Sequence, residues 1–130
     1  MTYPKSKTSF EELEVYQLAE RLSDGIWGMV KKWDRLAQDT VGKQMIRSAD
    51  SVGANIAEGV GRHYLRDNAR FIRYARGSLY ETKHWLRRAY QRDLMDASQV
   101  EAMKPIIDEL LPRLNAYLRS TRQRGGSNEQ

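Results

Sequence analysis

The sequence predicts an all-α protein, an up-down-up-down antiparallel four-helix bundle, on three observations. Apolar residues recur at spacings of three and four in four separate stretches, no stretch alternates apolar and polar residues as a half-buried strand would, and the connections are short. At 130 residues and 15.1 kDa, the chain is the size of one domain with one core. The expected organisation is a disordered leader over residues 1–8, the bundle over 9–122 and a disordered polar tail over 123–130.

The first helix is expected from Phe10 to Trp33. Ser9 followed three residues later by Glu12 is a capping-box pattern, and Val15, Leu18, Ala19, Leu22, Ile26, Met29, Val30 and Trp33 keep one stripe apolar. A polar link through Asp34 and Asp39 leads to the second helix, carried by Val41, Met45, Ala49, Val52, Ile56 and Val60 and ended by Gly59 and Gly61. The third is the longest, from Leu65 to Asp93, with Ile72, Ala75, Leu79 and Leu86 on its apolar face and a length of about 40 Å. Asp96 to Glu101 offers two overlapping cap patterns for the fourth, whose apolar register runs from Val100 to Thr121. It passes Pro105 and Pro112 unbroken, which predicts bends and no break.

Without cysteine there is no disulfide framework, zinc knuckle or thiol nucleophile. The start lacks the apolar run of a secretion signal, and no stretch of about eighteen apolar residues occurs, so the expected compartment is the cytoplasm, with no membrane partner. The net charge of +5 is concentrated in one place. Residues 62–92 hold nine basic and two acidic side chains, a net +7, whereas the segments before and after each sum to −1.

At about 100° per residue, Arg66, Arg70, Arg73, Gly77, Tyr80, His84 and Arg88 project from the side of the third helix opposite its apolar face. With Arg62 and Arg87 they form a candidate nucleic-acid surface, Arg62, Arg66, Arg70, Arg73, Tyr80, Arg87 and Arg88, in which guanidinium groups meet phosphates. The plain alternative is a solvated face that favours arginine. No base-reading module accompanies the row, which points to recognition of shape or backbone.

On the second helix Gln44, Arg47, Ser51, Asn55, Glu58 and Arg62 form a polar stripe. Serine and asparagine are mediocre inside helices, so a packed seam between helices or subunits explains them better than open solvent; Gly53, Gly59 and Gly77 would let backbones approach. Two flanking sets, Tyr16, Glu20, Ser23 and Trp27 on the first helix and Tyr74, Ser78, Glu81 and Trp85 on the third, read either as a self-association surface or as a wider core-facing arc. The seam candidates are Arg47, Ser51, Asn55, Glu58, Ser78, Glu81, Trp27 and Trp85. No catalytic residue, metal ligand or cofactor is expected. His63 and His84 stand far apart, no phosphate loop or nucleophile elbow is present, and Glu81-Thr82-Lys83-His84 is a single Glu-x-x-His pair where a di-iron site needs two.

Residues 44–62 read Gln-Met-Ile-Arg-Ser-Ala-Asp-Ser-Val-Gly-Ala-Asn-Ile-Ala-Glu-Gly-Val-Gly-Arg, and residues 70–81 read Arg-Phe-Ile-Arg-Tyr-Ala-Arg-Gly-Ser-Leu-Tyr-Glu. Together with the opening Phe10-Glu11-Glu12-Leu13-Glu14-Val15-Tyr16, they resemble the 23S rRNA intervening-sequence protein family, over about residues 9 to 121. Gln44, Arg47, Ser51, Asn55, Ile56, Ala57, Glu58, Gly59, Gly61 and Arg62 match the first motif, and Phe71, Ala75, Gly77, Ser78, Leu79 and Glu81 the second. Ser48 departs from the family's usual Ala, and His63-Tyr64-Leu65 from a common Ser cap. The resemblance implies a homopentamer, related to the accessory variability determinant of diversity-generating retroelements, a basic pentamer that binds nucleic acid and a reverse transcriptase. The resulting expectation is a non-enzymatic, oligomeric nucleic-acid-binding bundle; the alternative is a scaffold whose basic face docks an acidic protein.

Overall fold

The computed structural model describes Pro4 and residues 10–128, with side chains as far as Gln123. Among these residues there are four long helices and no strand: α1 Glu14–Val30, α2 Lys43–Val60, α3 Leu65–Gln91 and α4 Ala97–Asn128. Each helix packs on its neighbours in the order α1, α2, α3, α4, and α4 closes against α1. Residue pairings fix the directions. Gly42 lies against Val30 and Gly53 against Tyr16; Ser48 meets Thr82 and Gly59 meets Asn68; Arg76 reaches Asn115; and Arg113 pairs with Glu14. Every adjacent pair is therefore antiparallel, an up-down-up-down bundle.

The apolar stripes converge as the spacing predicts. Leu22, Ile26, Met45, Val52, Ile56, Ile72, Leu79, Leu110 and Leu114 are wholly buried in one cluster. At roughly 1.5–3 kcal/mol per large side chain, this shared core holds the helices together far more firmly than their own backbone propensities do.

The boundaries differ from expectation in several places. Residues Phe10–Glu12 wind as a tight 3-10 turn, and Leu13 resets to an extended backbone, so α1 starts at Glu14 rather than Phe10. Ser9, its expected cap, lies outside the described residues, as does the rest of the leader apart from Pro4. α1 ends at Val30, and Trp33 packs half-buried on the core from a turn beyond the helix.

The expected polar link is itself largely helical. Asp34 accepts a hydrogen bond from the Ala37 N–H at 2.9 Å and caps a turn over Arg35–Ala37, which passes through a π-helical stretch, Gln38–Gly42, directly into α2. Asp39 thus lies inside a helix. Gln38 folds back so that its Nε2 donates to the carbonyls of Val30 and Lys31, both at 3.1 Å, answering groups that the end of α1 leaves open. Gly42 is required here, because a Cβ would sit 2.6 Å from the Val30 side chain and 3.1 Å from the Ala37 carbonyl.

Gly61 follows the last residue of α2 with ordinary right-handed angles, so α2 has no left-handed glycine cap. The left-handed residue is Asp93, at φ 60°, where the Leu94 N–H reaches back to the Ala89 carbonyl and stops α3. The two overlapping patterns before α4 resolve in favour of Asp96. Its carboxylate accepts from the Gln99 N–H at 2.9 Å while Gln99 Oε1 accepts from the Asp96 N–H at 2.9 Å, a reciprocal box. α4 runs through Pro105 and Pro112 without a break, and its backbone stays helical six residues past Arg122, into the expected tail.

Candidate nucleic-acid interface

α3 builds the candidate surface. Asn68, Ile72, Ala75, Leu79, Thr82, Leu86 and Ala89 fall on one buried stripe, which aims Arg66, Arg70, Arg73, Tyr80 and Arg87 outward; all five are exposed. Arg62, in the turn before α3, is exposed too and lays its guanidinium over the Phe71 ring at 4.5 Å, while Arg70 approaches the same ring at 5.4 Å. Arg66 sits 5.6 Å from the Tyr64 ring. These aromatic supports hold the stems of long cations beside one another on the exposed side of the helix. Asp67 is 3.6 Å from Arg70, and Glu58 is 3.1 Å from Arg62; both pairs stand at half-exposed positions where screening leaves them weak. Arg73 makes no ion pair among the described residues. Tyr80 is 53% exposed, with Lys83 over its ring at 5.4 Å.

Two other arginines of this segment, of which only Arg88 is a candidate by its spacing, are held by neighbouring side chains. Arg88 is half-buried, and its guanidinium donates to Gln91 Oε1 at 2.6 Å, so it adds little to the open row. Arg76 leans to the α4 side and donates to Asn115 Oδ1 at 3.0 Å, a helix-to-helix bond. Both lie in the segment of highest charge, and only their neighbouring side chains set them apart from the exposed row.

The stripe of α2 does not form a packed seam within the chain. Ser51 and Asn55 are half-buried, and each donates to a carbonyl of its own helix, Arg47 and Ser51 respectively, at 2.8 Å. Arg47 and Glu58 are exposed. Ser and Asn are tolerated here because their side chains bond back along the helix. The stripe does run alongside the α3 flank, where Ser78 and Trp85 are half-buried, Glu81 and Tyr74 are exposed, and Trp85 Nε1 donates to Glu81 Oε2 at 3.0 Å. The α2 stripe and this flank thus make one continuous polar and aromatic face.

Trp27 is not part of that face. It is 59% exposed on the opposite edge of α2, beside a hollow of about 220 Å³ with Val30, Lys31, Gln38 and Ile46. On the same edge Phe10, Tyr16, Glu20, Ser23 and Asp24 line an acidic groove of about 350 Å³ with Asp50 and Gly53. Burial, then the neighbouring Glu20 carboxylate, hold the Tyr16 hydroxyl above its ordinary value.

The glycines divide. A Cβ on Gly59 would lie 3.1 Å from the Asn68 carbonyl, the Asn68 side-chain oxygen and Phe71 Cβ, so α2 and α3 do approach closely there. Gly53 has ordinary room beside Tyr16, and Gly77 meets nothing within 4 Å, so neither is needed for a close approach within the chain.

The polar contacts that do cross the interior lie elsewhere. Thr82 donates to Ser48 Oγ at 2.9 Å in the buried α2–α3 contact, and Asn68 Nδ2 donates to the Tyr117 hydroxyl at 3.1 Å, leaving Asn68 Oδ1 without a partner among the described residues. Their signal is present in the sequence: Asn68 and Thr82 occupy the regular apolar register of α3, where a polar residue needs a buried partner. Among the described residues no cluster of three or more His, Cys, Asp or Glu side chains is placed to hold a metal ion, and no helix is long and apolar enough to cross a membrane.

Fold and surface together define a small antiparallel helical bundle whose positive charge is gathered on one helix. The profile of the 23S rRNA-intervening sequence protein family matches residues 11–116, and the chain belongs to that family. A crystal structure of a protein of unknown function from the S23 ribosomal protein family of Bacteroides thetaiotaomicron VPI-5482 superposes with a TM-score of 0.71 at 21% identity. The match covers 80% of this chain and 97% of that one, and shows the shared fold. Among curated proteins none matches the chain.

Proposed function

We propose that this chain is a non-enzymatic, oligomeric, cytoplasmic bundle that binds RNA or DNA through the outer face of α3. The observation that carries the proposal is the solvent-facing row Arg62, Arg66, Arg70 and Arg73, supported on Tyr64 and Phe71. Arg66 to Arg73 spans about 10 Å of helix, and repeating it around an oligomer axis would offer a polyanion several rows at once. Without a base-reading element, such binding selects shape and backbone over sequence. The family resemblance, through its relation to the accessory variability determinant, extends the reading to a homopentamer that serves as accessory factor to a reverse transcriptase. The polar and aromatic face between α2 and α3, and Trp27 beyond it, are the surfaces proposed for assembly.

The test is a titration of labelled duplex RNA, duplex DNA and a hybrid duplex at several salt concentrations. Wild-type protein binds with little sequence preference, and log affinity falls with log salt by roughly 0.7–0.9 per phosphate contact. Changing Arg66, Arg70 and Arg73 together to Gln weakens binding and flattens that slope with helicity intact. Wild-type affinity and slope in the triple variant would falsify the assignment of the surface, and failure of the wild type to bind any duplex at low salt removes the nucleic-acid reading in favour of a protein-docking scaffold.

A further inference from the structure

An apolar depression lies on the edge across the bundle from the acidic groove, between α3 and α4. It is a groove of about 600 Å³ whose floor is Leu86, Met95 and Ile107, all buried, with half-buried Val100 and Met103 on the α4 side. Tyr90, 50% exposed, stands at its end. Lys83 and Arg87, one turn apart and both exposed, form the α3 bank; on the α4 bank Lys104 is matched by Asp108 at 2.6 Å. The charge on the α3 bank has no acidic counterpart within the groove.

We propose that this groove docks an acidic amphipathic helix of another protein, an interaction distinct from nucleic-acid binding by Arg62, Arg66, Arg70 and Arg73, with Arg87 on the border of the two surfaces. Length argues for a helix. Lys83 to Tyr90 and Val100 to Ile107 each run about 10 Å along their own helices, so the trough accepts about two turns of a third helix laid between them. Chemistry sets its faces: leucine-like residues at spacings of three and four enter the floor, where two methionines can adjust to them, and carboxylates on one flank reach Lys83 and Arg87.

A polyanion alone leaves that apolar floor unused. A second copy does not fit either, because among the described residues the two helices with the most exposed carboxylates, α1 and α4, already bury their apolar stripes in their own core. The occupant is therefore a helix of a different chain.

The experiment uses the full chain and a fluorescein-labelled peptide of about 16 residues, with Leu at spacings of three and four and Glu on both flanks. Anisotropy should show saturable binding that weakens at least about tenfold in the K83E/R87E variant and again in Tyr90→Ala, while R66Q/R70Q/R73Q binds as the wild type does. Circular dichroism confirms that each variant is folded. Equal binding of a control peptide with Lys for Glu, or with Ser for Leu, overturns the proposal, and so does unchanged affinity in K83E/R87E. A wild type that ignores the peptide, with duplex RNA binding lost in K83E/R87E, assigns this rim to nucleic acid and overturns it as well.

Discussion

At the scale of single residues, two glycines one motif apart carry opposite consequences. Gly59 is pressed on three sides at 3.1 Å, two of them the backbone and the Cβ of neighbouring α3 residues, which cannot turn aside. Overpacking there outweighs the better helix propensity of alanine, and Gly59→Ala should lower stability by about 1–2 kcal/mol. Gly77 faces open space in the middle of α3, and Gly77→Ala should raise stability by about 0.5–1 kcal/mol. Urea melts of the two variants check both signs, and a fall in oligomer mass confined to Gly77→Ala would show that its bareness serves a neighbouring subunit. Position and spacing alone could not separate the two glycines, since each sits in a run of family-like residues. What separates them is the side of the helix that a second helix happens to cover. Arg88 teaches the same lesson, since its spacing gives it the direction of Arg70 and yet it is half-buried beside Gln91. Arg66, Arg70 and Arg73, by contrast, stand exposed as their projection away from the core stripe predicts.

At the scale of elements, the helix ends carry the chemistry. The Ser98 hydroxyl, followed by the Gln99 N–H, holds the Asp96 carboxyl below its ordinary value of 3.8, because both bond the charged form. A folded-state value below the unfolded one means that the contribution is present above about pH 4 and is lost as pH falls through the folded value. Asp96→Asn keeps a capping oxygen but cannot titrate. Its unfolding midpoint should therefore depend less on pH below about 4 than the wild type's, as acid titrations at fixed urea would show. The four long helices could be read from their periodicity, and the Asp96 cap from its residue types. The passage from Val30 to Lys43 could not. Its residues, Asp34 and Asp39 included, have the polarity of a loop, yet one cap at Asp34 and the anchoring of Gln38 on the end of α1 accompany a passage that is helical from Arg35 onward.

At the scale of the whole molecule, the proposed assembly makes a direct prediction. Light scattering coupled to gel filtration should return a mass near five chains, and truncating Trp27 and Trp85 to Ala should reduce it, because each is a large aromatic on a surface assigned to subunit contact. Trp27 gives the cleaner readout: at 59% exposure its loss costs the monomer little packing. A monomeric wild type at micromolar concentration would remove both the pentamer and the role given to these surfaces. A dimer would remove only the pentamer.

The acidic groove between α1 and α2 and the cationic edge of α3 and α4 lie across the bundle axis from each other, so each chain is an electric dipole as well as a cation. A field gradient from a polyanion exerts a torque on such a body before any contact forms, turning α3 forward during diffusion. Added salt, by shortening the reach of that torque to within about 10 Å, should slow productive encounters more than it hastens departures.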